Sequence, residues 1–253
     1  MKSLGPEQIL NSFWTNNFET LYELCSSGKS GSLFYFTKDR KYMMKTIPKR
    51  EYLKMKEFLK GYYNYLKENP ESLIIRFYGL HQVQWHDESN KLQVRYLTIM
   101  GNIFKDFEIG LRYDLKGSTA GRQLLKEDQT PKDNKNVKTA MKDNDFTKHI
   151  KRIEFEDLQQ SSDRALDMST LLTKKKTGLS DILKADADFL GQSSIIDYSL
   201  LVGEILDDPA ELRQQILAAD QDSITYRGVH FSTGGKPYVL GVIDPLTGYN
   251  FAK

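Results

Sequence analysis

Cysteine is all but missing from these 253 residues. Cys25 stands alone, so no internal disulfide can form, and a reducing compartment is the simpler expectation. Long apolar runs are missing as well. None approaches the ~18 residues that a membrane-crossing helix needs. The opening residues, Met1-Lys2-Ser3-Leu4-Gly5-Pro6, have no apolar core of the secretory kind. The expectation is an intracellular, cytoplasmic protein, soluble or peripheral to a membrane. His81, His86, His149 and His230 are scattered and have no cysteine cluster beside them, which argues against a zinc site. No Gly-x-Ser-x-Gly elbow marks a hydrolase. A Walker A loop also fails: Gly28-Lys29-Ser30 has the right ending, but position 23, where a glycine is required, is Glu23.

What is present points to a globular chain with a sizeable core. Charged residues make up 28% and aromatic residues 11%, which excludes the disordered class and leaves room for one large domain or two lobes. The net charge of +2 selects no partner, but its distribution is uneven. Basic residues outnumber acidic ones nine to three between Lys38 and Lys60, and seven to three between Lys132 and Arg152. Lys174-Lys175-Lys176 adds a third run. Such patches suit an anionic lipid surface, where each Lys or Arg near the membrane contributes roughly 1 kcal/mol. Nucleic acid is the competing partner. Neither zinc-finger spacing nor an RNA-recognition aromatic motif supports it.

The apolar periodicity predicts a helix over residues 7–25, then a Gly/Ser-rich turn, Ser26-Ser27-Gly28-Lys29-Ser30-Gly31-Ser32. Strands follow over 33–37 and 42–47, and Pro48 ends the second. A second helix is expected over 49–68, with Leu53, Met55, Phe58, Leu59, Tyr62, Tyr63 and Leu66 on its apolar side and Asn69-Pro70 as its stop. Further strands are expected over 73–80, 81–85, 92–99, 107–113 and 238–243, with helices over 179–190 and 209–219. Residues 126–148 read as a mobile polar loop. The order suggests an α+β protein with a strand-rich N-terminal lobe and a mixed C-terminal lobe.

Three segments carry the chemistry. Tyr113-Asp114-Leu115-Lys116-Gly117-Ser118-Thr119 precedes Ile195-Ile196-Asp197-Tyr198-Ser199-Leu200-Leu201-Val202-Gly203, and Gly241-Val242-Ile243-Asp244 follows. In the last two, an Asp beside apolar residues would be anchored by a core element. The glycine-rich turn can bring backbone amides to a phosphate. Lys45, in Met43-Met44-Lys45-Thr46, is a single lysine on an apolar strand, placed as kinases place their nucleotide lysine. Glu51 and Glu57 both remain open as its ion-pair partner.

Together these segments resemble the phosphatidylinositol phosphate kinase family, from about Ser27 to Asp244. The resemblance implies a two-lobed lipid-kinase fold: an N-terminal helical segment over 1–27, an N-lobe with an antiparallel sheet over 28–102, and a C-lobe over 103–253. It gives nucleotide contacts to Gly28, Lys29, Ser30, Gly31, Ser32 and Lys45. Leu97-Thr98-Ile99-Met100-Gly101-Asn102 resembles the adenine hinge, with Met100 and Asn102 as contacts. Asp-Leu-Lys-Gly-Ser matches a characteristic family segment, with Arg122 a few residues on and Lys116 as a catalytic cation. Lys142-Asp143-Asn144-Asp145-Phe146 resembles another family segment. Asp197 falls on the catalytic-loop Asp and Asp244 on the magnesium-binding Asp. Lys60-Gly61-Tyr62-Tyr63, Asn69-Pro70 and Arg76-Phe77-Tyr78-Gly79-Leu80 are most similar to the phosphatidylinositol 4-phosphate 5-kinase branch. The His-Arg-Asp and Asp-Phe-Gly triplets of protein kinases are absent.

The implied cofactors are ATP and Mg²⁺. The implied partners are a phosphoinositide in an anionic membrane surface and a homodimer or larger protein assembly. The sequence given stops at Lys253, nine residues after Asp244, where family members continue into an activation loop and a terminal helix. Pro245 also departs from the usual aliphatic continuation. The competing expectation is therefore a catalytically weak or inactive kinase-fold scaffold subunit.

Overall fold

The structure is a computed structural model. It describes the backbone of residues 22–25 and all of residues 32–37, 39–131, 139–156, 178–219 and 228–248. Five strands form the N-terminal sheet: β1 (Tyr22–Cys25), β2 (Leu33–Phe36), β3 (Tyr42–Ile47), β4 (Phe77–His86) and β5 (Leu92–Gly101). Their spatial order is β1-β2-β3-β5-β4, and every pairing is antiparallel. A second sheet has the order β6-β8-β10-β9, built from β6 (Ile109–Leu115), β8 (Ser199–Ile205), β9 (Val229–Phe231) and β10 (Pro237–Ile243). A short pair, β7 (Ile195–Ile196) with β11 (Thr247–Gly248), completes the strands. The helices are α1 (Lys49–Glu68), α2 (Asp143–His149), α3 (Leu179–Gln192) and α4 (Pro209–Ala218). The α+β architecture with an antiparallel N-terminal sheet agrees with the expectation.

Helix α1 shows how the sequence sets the core. Pro48 at its N-cap already holds a helix-compatible φ, Glu51 lies in the first turn and Lys67 in the last, in accord with the helix dipole. Met55, Phe58, Tyr62 and Leu66 recur at three and four residues and are buried. The buried stripe is narrower than the sequence implies: Leu53, Leu59 and Tyr63 are 47%, 44% and 62% exposed. Leu53 falls on the opposite side of the helix, and Leu59 and Tyr63 on its flank.

One hydrophobic cluster joins helices α1 and α3 to the second sheet. It joins Met55 and Phe58 of α1 to Ile74, Tyr113, Leu190 and Val242. The chain between α1 and β4 fastens them together. Ile75 N–H donates to Val242 O at 2.9 Å, and Val242 N–H donates to Leu73 O at 2.8 Å. Buried Asp186 of α3 accepts from Leu73 N–H at 2.7 Å and from the Tyr65 hydroxyl at 2.8 Å. The strand expected over 73–80 therefore begins only at Phe77, because residues 73–75 spend their backbone groups on β10. The ladder then continues through 81–85 without a break.

Two further expectations are corrected. The helix over 7–25 does not extend to its end, because Tyr22–Cys25 pairs along β2 from Tyr22↔Phe36 to Cys25↔Leu33; the rest of that segment lies outside the described residues. The polar stretch 126–148 contains the first residues of α2. There the Asp145 side chain accepts the Lys142 amide at 2.9 Å, a capping interaction that offsets the scarcity of apolar positions.

His230 of the C-terminal sheet contributes to the acid dependence of stability. Burial lowers the His230 pKa from 6.5 to about 4, so the folded state holds this imidazole neutral while the unfolded chain protonates it. Its contribution is complete above pH 6.5 and is lost as pH falls toward about 4. The shift corresponds to about 3 kcal/mol at most. His230→Leu should flatten the fall in urea-unfolding free energy between pH 6.5 and 4, and an unchanged pH slope would rule this account out.

Candidate active site

Two antiparallel strands of the second sheet reach their last shared rung at Ser199↔Ile243. Both chains then turn, and pairing resumes at Ile196↔Thr247. The corner residues are Asp197 and Asp244, with φ of 64° and 57°. Asp tolerates this left-handed region better than most residues, because its short polar side chain can bond locally. At the second corner Leu246 N–H donates to Asp244 O at 2.7 Å, and the buried Leu246 side chain anchors the turn in the core. Ile195 and Ser199 are buried on either side of Asp197. Both carboxylates are thus presented at the edge of a packed sheet, and each is met by a lysine.

Lys45 Nζ donates to Asp244 Oδ1 at 2.5 Å. The lysine is only 7% exposed, on β3 opposite Phe34, whose ring centroid lies 5.4 Å from Nζ. Lys116 Nζ donates to Asp197 Oδ1 and also to Asp197 O at 3.0 Å. The carboxylates remain open to solvent, with side-chain exposures of 44% for Asp244 and 60% for Asp197. Their Oδ2 atoms accept no hydrogen bond from a described residue.

Glu51, in the first turn of α1, completes the electrostatics. Burial pushes its carboxyl above the usual carboxylate range, Lys45 pulls it down, and Asp244 and Asp197 push it up. All four charges therefore share one field. Glu57 is exposed and, among the described residues, pairs with Lys54 at 4.0 Å. Of the two glutamates left open by the sequence, Glu51 is the one beside the lysine, although the direct bond of Lys45 goes to Asp244.

The segment after β6 is held by the start of α2. Asp143 accepts the backbone N–H of Lys116 at 3.0 Å and of Gly117 at 2.8 Å, together with Arg122 Nε at 2.8 Å. Asp114 accepts Lys142 Nζ at 2.5 Å and Arg122 Nη2 at 3.1 Å. Burial pushes both carboxyls up. For Asp114 the bonds from Lys142, Ser199 and Arg122 outweigh it; for Asp143 the bonds from Arg122 and the Gly117 and Lys116 amides do so. Both end below the ordinary range. This interlock was not legible as a function of Asp143. The signals were a pair of aspartates, Asp143 and Asp145, beside a lysine, and the resemblance of Lys142-Asp143-Asn144-Asp145-Phe146 to a family segment.

The segment expected to form the hinge runs along β5 through Thr98, opposite Lys45, to Gly101, opposite Tyr42 at the start of β3. Met100 is buried, pairing with Met43 and Phe77. Asn102 donates from Nδ2 to Arg40 O at 2.9 Å and accepts Phe104 N–H at 3.1 Å, so its side chain fastens the hinge to the β2–β3 turn. Past it, Ile103 and Phe104 seat on two glycines. A Cβ on Gly241 would stand 2.2 Å from Ile103 Cδ1, and one on Gly203 2.6 Å from Phe104 Cε1. Glycines inside apolar strands mark such close approaches. Ser32 is buried just before β2; Gly28, Lys29, Ser30 and Gly31 lie outside the described residues.

Comparison with known proteins gives the family. The family model described as Phosphatidylinositol-4-phosphate 5-Kinase matches residues 15–221. A phosphatidylinositol 4-phosphate 5-kinase of Plasmodium falciparum is 37% identical over 208 residues, which is 80% of this chain and 11% of that protein. Phosphatidylinositol 4-phosphate 5-kinase 4 of Arabidopsis thaliana is 37% identical over 189 residues, 73% of this chain and 21% of the relative. A phosphatidylinositol 4-phosphate 5-kinase of Schizosaccharomyces pombe is 37% identical over 186 residues, with shares of 72% and 22%. The chain thus spans between about a tenth and a quarter of the length of these relatives. With its matched span covering most of the sequence, the chain belongs to the phosphatidylinositol-4-phosphate 5-kinase family.

Proposed function

We propose that this chain transfers the γ-phosphate of ATP to the 5-hydroxyl of phosphatidylinositol 4-phosphate at an anionic membrane surface. The observation that carries the reading is the meeting of two aspartate–lysine pairs, Asp244 with Lys45 and Asp197 with Lys116, at adjacent corners of one sheet. Phosphoryl transfer demands positioning and charge neutralisation more than covalent catalysis. Lys45 binds the α- and β-phosphates, exchanging its bond to Asp244 for bonds to phosphate oxygens. Asp197 orients the inositol hydroxyl and accepts its proton. As the hydroxyl oxygen bonds to the γ-phosphorus, the bond to the β,γ-bridging oxygen breaks and ADP departs. Lys116 shifts from Asp197 to the charge on the transferred group.

A hard, oxygen-preferring cation fits Asp244, whose carboxylate is half exposed and keeps Oδ2 free of described donors. Among the described residues no cluster of three metal-ligating side chains occurs. One or two carboxylates with phosphate oxygens suffice for Mg²⁺. Bound there, Mg²⁺ neutralises the phosphate charge. Among the described residues no helix is long and apolar enough to cross a membrane. Exposed Lys49, Lys56 and Lys60 on α1 favour peripheral attachment.

The test is phosphate transfer from labelled ATP to phosphatidylinositol 4-phosphate in anionic vesicles, with the product headgroup identified by chromatography. The expected product is the 4,5-bisphosphate. A folded chain that binds nucleotide yet forms no product would overturn the catalytic reading and favour a scaffold subunit.

A further inference from the structure

We propose that Asp143 is the positioning residue for Lys116, and that the two family segments form one device for delivering that ammonium to Asp197. The inference rests on the kinase reading above for its catalytic consequence, but its geometry stands independently. A lysine side chain carries about 2 kcal/mol of rotamer freedom, so a lysine placed just past a strand end acts reproducibly only if its backbone is fixed. Lys116 follows the last residue of β6, and the strand ladder does not hold its amide.

The Asp143 carboxylate fixes it instead. Gly117, at φ 70°, allows consecutive amides to converge on one acceptor, and both the Lys116 and Gly117 N–H groups donate to Asp143. Asp143 is itself fixed by its place at the first turn of α2. That turn is anchored by buried Asp145, which accepts the amides of Leu124, Leu125 and Lys142. Arg122 then bridges Asp143 to Asp114, and Lys142 returns to Asp114. The four side chains Lys142, Asp114, Arg122 and Asp143 alternate in sign and sum to zero charge. The network therefore holds Lys116 in place without adding net charge to the site.

The consequence is specific. Loss of the Asp143 charge should affect only steps in which Lys116 takes part, and nucleotide capture by Lys45 should be spared. Asp143→Asn keeps one acceptor oxygen and protects folding; Asp143→Ala removes both. With the full chain, Asp143→Asn should lower kcat about 10-fold or more with the KM for ATP within about twofold, the pattern of an interaction expressed in the transition state. Combined with Lys116→Ala it should add almost nothing, since groups acting as a unit are non-additive. A purely structural Asp143 would give effects that multiply, and that result overturns the proposal.

A second readout does not need turnover. Mild amine acetylation, followed by mass spectrometry, should label Lys116 at least about threefold faster in Asp143→Ala than in the parent, because an unfixed side chain spends more time unpaired. Lys236, exposed and paired with Glu204 rather than with any member of this network, serves as the internal reference. Unchanged labelling of Lys116 overturns the proposal even if the parent is active. If the parent shows no lipid phosphorylation, the kinase reading fails and labelling alone decides the role of Asp143.

Discussion

Asp197→Asn should abolish lipid phosphorylation, with a loss of roughly 10³-fold or more in kcat, while nucleotide affinity stays within about a factor of two. The argument starts from the backbone. Asp197 stands at φ 64°, a region in which Asn is as much at home as Asp. The substitution therefore leaves the corner between β7 and β8 intact. The side chain is largely exposed, so its ion pair with Lys116 adds little to stability, typically under about 1 kcal/mol. What the amide cannot do is accept the proton of an attacking hydroxyl. Lys45 and Asp244, which meet the nucleotide in this reading, are untouched. The check is single-turnover transfer from labelled ATP beside a direct nucleotide titration. Retention of more than a tenth of the parent activity would remove Asp197 from its assigned role.

The sequence made much of this arrangement legible, and the reasons differ from residue to residue. The helix over Lys49–Glu68 was readable because Pro48 and Asn69-Pro70 punctuate a stripe at helical period. Lys45, Asp197 and Asp244 stood out because each is a lone charge beside apolar residues, whereas Lys116 was singled out by the resemblance of Asp114-Leu115-Lys116-Gly117-Ser118 to a family segment. The pairing among them was not. Asp244 is 199 residues from Lys45 and Asp197 is 81 from Lys116, and no local period reports a contact at that separation. Sequence left Glu51 and Glu57 open because both lie on the first half of one helix. Only the helix's rotation about its axis decides which of them turns toward Lys45. The strand at Tyr22–Cys25 replaces the end of the expected helix, whose spacing Leu24 also completes from Leu21 and Phe18, an ambiguity of short apolar runs. The contacts of Asp143 lay hidden for a different reason: two of its donors, the Lys116 and Gly117 N–H groups, are backbone amides that leave no trace in side-chain pattern, and the third, Arg122, is 21 residues away.

Lys45→Met and Asp244→Asn should fail at an earlier step than Asp197→Asn. Lys45 is 7% exposed and is held against Phe34 and Asp244, so its ammonium is ready to trade one anionic partner for another. Methionine preserves the length and apolar stem of the side chain but offers no charge to a phosphate. Each variant should weaken nucleotide binding in the presence of Mg²⁺ by about 30-fold, which corresponds to about 2 kcal/mol, the low end of the cost of removing one member of a charge pair because Asp244 is half exposed. Their responses to the metal should differ. Asp244→Asn should lose most of the Mg²⁺-dependent gain in affinity, because an amide is a weaker ligand than a carboxylate for a hard cation. Lys45→Met should keep that gain at a lower baseline. Titration of each variant with ATP, with and without Mg²⁺, separates the two. If both lose the metal dependence equally, Asp244 is acting only as the resting partner of Lys45. If neither variant loses affinity, the nucleotide lies elsewhere, and the meeting of the two aspartate–lysine pairs is not the active site.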